Sequence, residues 1–325
     1  MTKLIRTFGV ATCILAASVV VAPAQVISMA TGPQGTIAYN TGQAVAKVAN
    51  DNGITVRTQP IGGFLPMVNS GELDFGFTNA VDVVFAFKGT GNYNREHPNL
   101  MHVGAMFPLT TGIMAPCDLK LQTIADLKAK AGDLRIASEY TSTSIITYYV
   151  SGALATGGIG YDDFGSRVPV ASLIAGIDAL GDGLVDVALV SLNAGAGQQA
   201  SVKLQGRGGL CYISLDDSGE ALASFQEFMP AASITPFAQN ERSLGLEHYG
   251  ANLIQLPWVL LTHKDVSEDL VYQVTKTIAE NKDALKASFG LFNLFNPEKM
   301  AIEGVIPTHP GALKYFAEAG IAAGN

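Results

Sequence analysis

Apolar and polar positions along the chain switch repeatedly between two periods, and the switches mark a β/α series. Alternating or short continuous apolar runs predict strands at Val26–Ala30, Ile54–Gln59, Leu73–Thr78, Leu100–Phe107, Gly112–Pro116, Leu134–Ser138, Val185–Ser191, Leu210–Ser214 and Leu256–Thr262. Helical spacing predicts helices at Ile37–Asn50, Phe64–Ser70, Val81–Phe87, Ile124–Ala131, Ser144–Thr156, Leu173–Leu180, Glu220–Phe228 and Ser267–Asn281. Strands interleaved with helices define an α/β fold.

One pattern occurs twice. Phe64–Phe77 aligns with Gly176–Leu189, placing Leu65 on Ile177, Val68 on Leu180, Gly71 on Gly183 and Asp74 on Asp186. Each copy reads as a short amphipathic helix, a glycine C-cap, an acidic residue and an apolar strand. Each then opens into a polar loop, Thr78-Asn79-Ala80 or Leu192-Asn193-Ala194. Two lobes on one β-α-β plan follow, with ligands expected outside the carboxyl ends of the strands. The loops at those ends are rich in Gly and hydroxyl groups: Thr31–Thr36, Pro60–Gly63 and Glu139–Ser144. Each precedes a helix, so each offers N–H groups to an anion or simply caps its own helix.

Composition narrows the function. The 325 residues are 48% hydrophobic and 15% charged, with a net charge of −8. That excludes a disordered chain and argues against a nucleic-acid surface. Lys3 and Arg6, an apolar stretch from Phe8 to Val21 and the small-residue exit Ala22-Pro23-Ala24 read as a secretory signal peptide cut before Gln25. No later run is long enough to span a bilayer; Ile254–Leu261 contains Pro257 and reads as a buried strand. Export leaves a Cys117–Cys211 disulfide open, because sequence distance says nothing about proximity.

Catalytic and cofactor motifs are sparse. No Walker, GxSxG, HExxH or CxxC pattern occurs, and no Cys/His cluster has metal-ligand spacing. Gly195-Ala-Gly197-Gln-Gln-Ala200 formally fits a dinucleotide fingerprint but lies late in the chain. The five histidines sit in separate segments and read as structural. Neither cofactor nor metal is expected.

Longer motifs carry a family resemblance. Ala30-Thr-Gly-Pro-Gln-Gly-Thr-Ile-Ala-Tyr39-Asn-Thr-Gly42, Ile61-Gly-Gly63, Gly71-Glu-Leu-Asp74, Pro257-Trp-Val-Leu-Leu-Thr-His-Lys-Asp-Val-Ser-Glu-Asp-Leu-Val-Tyr272 and Pro307-Thr-His-Pro-Gly-Ala-Leu-Lys-Tyr315 occur in that order. Together they resemble the TAXI family of solute-binding proteins, the extracytoplasmic receptors of TRAP transporters. The likeness runs from about Val26 to Gly320. Departures fall in the cleft loops: Thr141-Ser142-Thr143-Ser144 stands for a usual Gly-Ser-Gly-Thr, and Asn79-Ala80 for a usual Gln-Ser.

The resemblance implies a two-lobed periplasmic-binding-protein fold, type II-like, with mixed sheets and a cleft between the lobes. Residues 1–24 are the leader, 25–112 the first part of lobe one, 113–212 lobe two, and 213–325 the return to lobe one with C-terminal packing helices. It implies a monomeric periplasmic receptor, not an enzyme, that binds a small organic anion or zwitterion. The receptor passes this solute to a Na⁺-driven TRAP membrane subunit with fused small and large components. Expected contacts are Gln34, Thr36, Tyr39, Asn79 and Asn193 for orientation, with Gly62, Gly63 and Ala80 also lining the site. Thr141, Ser142, Thr143 and Ser144 are expected around a carboxylate, and Tyr140 as an aromatic wall. Glu139 faces either the cleft, where it selects an amine, or the solvent. The competing readings are an ABC or signalling receptor and an enzyme on the same fold.

Overall fold

The computed structural model describes residues 26–32, 34 and 36–322; the expected leader lies outside them. The chain runs β1 (Ile27–Ala30), α1 (Ile37–Asp51), β2 (Val56–Gln59), α2 (Leu65–Ser70), β3 (Phe75–Asn79), α3 (Ala80–Lys88) and β4 (Leu100–Pro116). It continues with α4 (Ile124–Lys130), β5 (Arg135–Ser138), α5 (Ile145–Ala155), β6 (Ser166–Pro169), α6 (Leu173–Gly181), β7 (Ala188–Ser191), α7 (Gly195–Lys203) and β8 (Leu210–Tyr212). The last part is α8 (Gly219–Phe228), β9 (Ser233–Phe237), β10 (Ala251–His263), α9 (Glu268–Glu280), α10 (Lys282–Ser288) and α11 (Pro310–Ala319).

Two long antiparallel strands, β4 and β10, belong to both halves of the molecule. Toward one end they carry the order β2-β1-β3-β10-β4, with β1 parallel to both β2 and β3. Toward the other end β4 pairs with β7 and β8, and β10 with β9. A parallel β5–β6 pair joins this second half through an Ile136–Val187 bridge.

Side chains alternate across the first sheet as the pleat requires. Phe75, Phe77, Trp258 and Leu260 face one core with α1, α9 and α11, while Val259 and Leu261 face a second with α2 and α3. The other half has its own core. Ile213, Leu215, Phe225, Met229 and Leu253 pack in it, beyond the residue 212 at which the sequence reading ends lobe two.

Two differences from the sequence reading have physical causes. The expected strands Leu100–Phe107 and Gly112–Pro116 are one strand, β4, running through Pro108. Pro108 faces Pro257 of β10, so two residues without N–H groups oppose each other and no ladder bond is lost on one side alone. Strands β6 and β9 were hidden because one is exposed and polar and the other contains Pro236, marks of edge strands. The Gly195–Ala200 motif opens helix α7, where a methyl on Gly197 would come 2.6 Å from Val190. Its glycine therefore serves close helix–strand packing rather than phosphate approach.

The cysteines are joined. Antiparallel pairing sets Ala115 of β4 opposite Cys211 of β8, which brings Cys117 within 5.1 Å (Cα–Cα) of Cys211.

Candidate functional site

Parallel pairing decides where the expected loops fall. With β1 beside β2 and β3, the loops after all three leave from one edge of the first sheet. With β5 beside β6 and bridged to Val187, residues 139–144 and 191–194 leave from one edge of the second. The two edges meet the shared strands near their crossing: Asn79 pairs with Trp258, and Ser191 with Thr111.

Within that frame the expected residues divide. Gln34, Thr36, Gly62, Gly63, Thr141, Ser142, Thr143, Ser144 and Asn193 are exposed, and Tyr39 is half-buried. Thr36 caps α1 by accepting the Tyr39 N–H at 3.1 Å. The Ser142 hydroxyl and N–H both donate to the Ala171 carbonyl, and the Thr141 N–H donates to Val170, so this loop is tied to the β6–α6 connection. α5 begins at Ser144 without a side-chain cap. Ala80 is buried, and buried Asn79 caps α3 by accepting the Asp82 N–H at 2.9 Å.

Tyr140 lies elsewhere than expected. Its side chain is fully buried in the second core, its ring against Gly176 of α6, and it forms no wall of an open cleft. Glu139 is exposed, in the left-handed region at φ 69°. Arg135 of β5 is held by Asp186 through Nε and Nη2, both at 2.9 Å.

The lobes touch through α3 and α5. Val81 and Phe85 of α3 pack in the second core, and the Phe85 and Tyr148 rings lie 4.9 Å apart. Between them sits a polar group the sequence reading passed over. Asp82 accepts the Tyr93 hydroxyl at 3.1 Å and the Thr78 hydroxyl at 3.4 Å. Burial pushes its carboxyl up to about 6 against the opposing pull of these hydroxyls and of the Asn92 side chain. Tyr149 of α5 is 4% exposed, interacts electrostatically with Asp82, and has its phenol pushed up by burial. The sequence offered one signal: an acid three residues after an N-cap asparagine, which reads as helix capping alone. An open recess of about 650 Å³, lined by Pro66 and residues 91–95 and 97, includes Tyr93. A second, of about 410 Å³, lies at the crossing beside Pro108 and Pro257.

Two lobes sharing two crossing strands, with facing loop edges, define the fold of two-lobed periplasmic binding proteins. Residues 29–320 match the NMT1-like family, and the chain belongs to it. Solved structures share the fold at low identity. A TctC solute-binding protein from Polaromonas is 12% identical with a TM-score of 0.54, over 84% of this chain and 90% of that one. MatC from Rhodopseudomonas palustris, with bound malate, is 11% identical with a TM-score of 0.55, over 92% and 97%. Another R. palustris protein, with adipate, is 12% identical with a TM-score of 0.51, over 92% and 94%.

Proposed function

We propose that this chain is an exported receptor of the TAXI kind. It binds a small organic acid or amino acid between its lobes and delivers it to a Na⁺-driven TRAP permease. The observation that carries the reading is the pair of loop edges facing each other across a two-strand junction. Closure about such a junction lets both lobes touch one solute. Register shifts beside Trp258 and Leu260 interrupt the ladder there, which suits a hinge.

In this reading lobe one holds β1–β3 and α9–α11, and lobe two runs from the crossing at Pro108 to the return at Pro257. The leader is removed before Gln25 and the receptor works as a periplasmic monomer. A carboxylate of the solute sits at the uncapped start of α5, near Thr143 and Ser144, with Gln34, Thr36, Tyr39, Gly62, Gly63 and Asn193 around it. It needs neither metal nor cofactor, and no nucleophile paired with a base is part of the reading.

A thermal-shift screen of residues 25–325, unfolded and refolded to strip carried solute, tests it. The panel spans amino acids, monocarboxylates, malate, adipate and 2-oxo acids. A ligand at 100 times its Kd adds about 2.7 kcal/mol of stability, a shift easily read. One responding class supports the receptor. No shift with any class, and no solute released from the native protein on denaturation, would reject it.

A further inference from the structure

The interlobe contact closes over a carboxylate that has no cation. Asp82 makes no ion pair among the described residues. Its neighbours are hydroxyls, a ring and an amide: Thr78 on β3, Tyr93 and the Asn92 side chain after α3, and Tyr149 across the junction on α5. Tyr149 is 4% exposed, and burial together with the Asp82 charge pushes its phenol up. A first-turn acid suits the start of α3, yet a carboxylate held in this contact without a cation opposes folding, where a neutral amide of similar size would not.

We infer that Asp82 is the seat of a positively charged nitrogen on the solute, so that the receptor takes an amine-bearing acid rather than a simple carboxylate. The inference rests on the receptor reading above. The ammonium meets the Asp82 carboxylate beside the Tyr93 hydroxyl and Tyr149, and aromatic neighbours favour an organic cation. A divalent metal is disfavoured, because it demands several oxygen ligands and Asp82 is the one carboxylate at this contact among the described residues. The solute's own carboxylate then points to the other lobe, toward the start of α5. Exposed Glu139 takes no part in choosing the amine.

Proton linkage gives the inference a signature. With Asp82 titrating at about 6 before binding, a cation must take up the ionised form. Affinity therefore holds above that pH and falls below it, approaching tenfold per unit. The titratable groups facing Asp82 are the Tyr93 and Tyr149 phenols, both pushed upward by burial and protonated throughout. The loop after α3 also carries Arg95 and His97, and the His97 Nδ1 lies 3.0 Å from the Ala86 carbonyl oxygen.

The test uses matched probes on the refolded protein: glutamate and glutarate, leucine and 4-methylpentanoate, 4-aminobutyrate and butyrate. At least one amine is expected to bind 30-fold or more tighter than its deaminated partner. Asp82→Asn should remove that preference and the pH dependence, while its thermal midpoint stays level or rises because no ion pair is lost. Equal affinity within every pair, amine binding untouched by Asp82→Asn, or a solute without a basic nitrogen released from the native protein would each overturn the inference and leave the receptor standing. If Asp82→Asn does not fold, the matched pairs on the unaltered protein decide alone. No binding by any probe, with no released solute, rejects the receptor and the inference together.

Discussion

The turns before β3 and β7 carry the same device, yet the two lobes fill the space beside it in opposite ways. In the first lobe the Ser28 N–H and hydroxyl donate to Asp74 Oδ2 at 2.7 and 2.8 Å. In the second the Arg135 N–H and Nε donate to Asp186 Oδ2 at 3.0 and 2.9 Å. Each aspartate thus ties the entry of one strand to the start of its parallel neighbour. Packing is exchanged instead of repeated. Phe64 lies on Gly76, while the aligned residues are Gly176 and Ala188, and Tyr140 fills the space against Gly176. The backbone plan is common to both lobes; side-chain volume is traded between neighbours within each.

The largest difference between the lobes is the disulfide, because only the second has one among the described residues. Replacing both Cys117 and Cys211 with Ala should cost about 2–4 kcal/mol in urea unfolding. Circular dichroism reports the whole chain, and the single Trp258 reports the first lobe at the crossing. If the loss confines itself to the second lobe, the circular dichroism transition shifts before the Trp258 signal does. Coincident shifts would show that the crossing couples the two cores tightly.

Packing exchange makes the next prediction. Gly76→Ala drives a methyl into the Phe64 ring and should cost about 1–3 kcal/mol as overpacking. A Phe64→Leu change on top should recover part of it. Ala188→Gly, the reverse swap in the other lobe, relieves nothing and should cost about 0.5–1 kcal/mol through backbone freedom. Equal costs at the two positions would mean the lobes are packed alike after all.

The paired aspartates come third. Asp74→Ala leaves two donors of Ser28 without an acceptor, a loss of about 1–3 kcal/mol. Asp186 adds a charge to the comparison. Burial raises its carboxyl, but the Arg135 hydrogen bonds and charge more than offset this and leave it below the usual range. A folded-state value held low contributes stability above the ordinary carboxylate pKa and loses it as pH falls through the lowered one. Asp186→Asn should therefore be less stable than the unaltered protein at neutral pH, with the gap closing in strong acid. A gap that persists there would assign the effect to shape alone.

These contrasts explain what the sequence could disclose. Gly71, Gly183, Asp74 and Asp186 were visible because their roles are local: a left-handed cap and a strand entry recur at fixed spacing. Loop positions at strand ends followed from the alternation of elements. Tyr140 was misread because its burial depends on space left by Gly176, on a helix that no local pattern ties to it. Asp82 was passed over for a related reason: within α3 it holds an ordinary first-turn position for an acid, while Tyr149 comes from the other lobe. The single strand β4 was hidden by Pro108, which reads as a break until Pro257 stands opposite it.

The smallest prediction is also the strictest on the repeat. Gly71 and Gly183 adopt φ of 79° and 69° after α2 and α6, and added methyl groups meet little at either site. At Gly71 the nearest atom is His263 Nδ1 at 4.0 Å, and at Gly183 nothing lies within 4 Å. Sterics with neighbours are thus absent, and only the left-handed backbone penalises a side chain. Gly71→Ala and Gly183→Ala should each cost about 1 kcal/mol, the same within error in urea titrations. Asn at either site should cost less than Ala, since its short amide side chain tolerates this backbone. A clear inequality between the two alanine variants would mean that equal geometry conceals unequal strain, and that the two turns are alike in outline only.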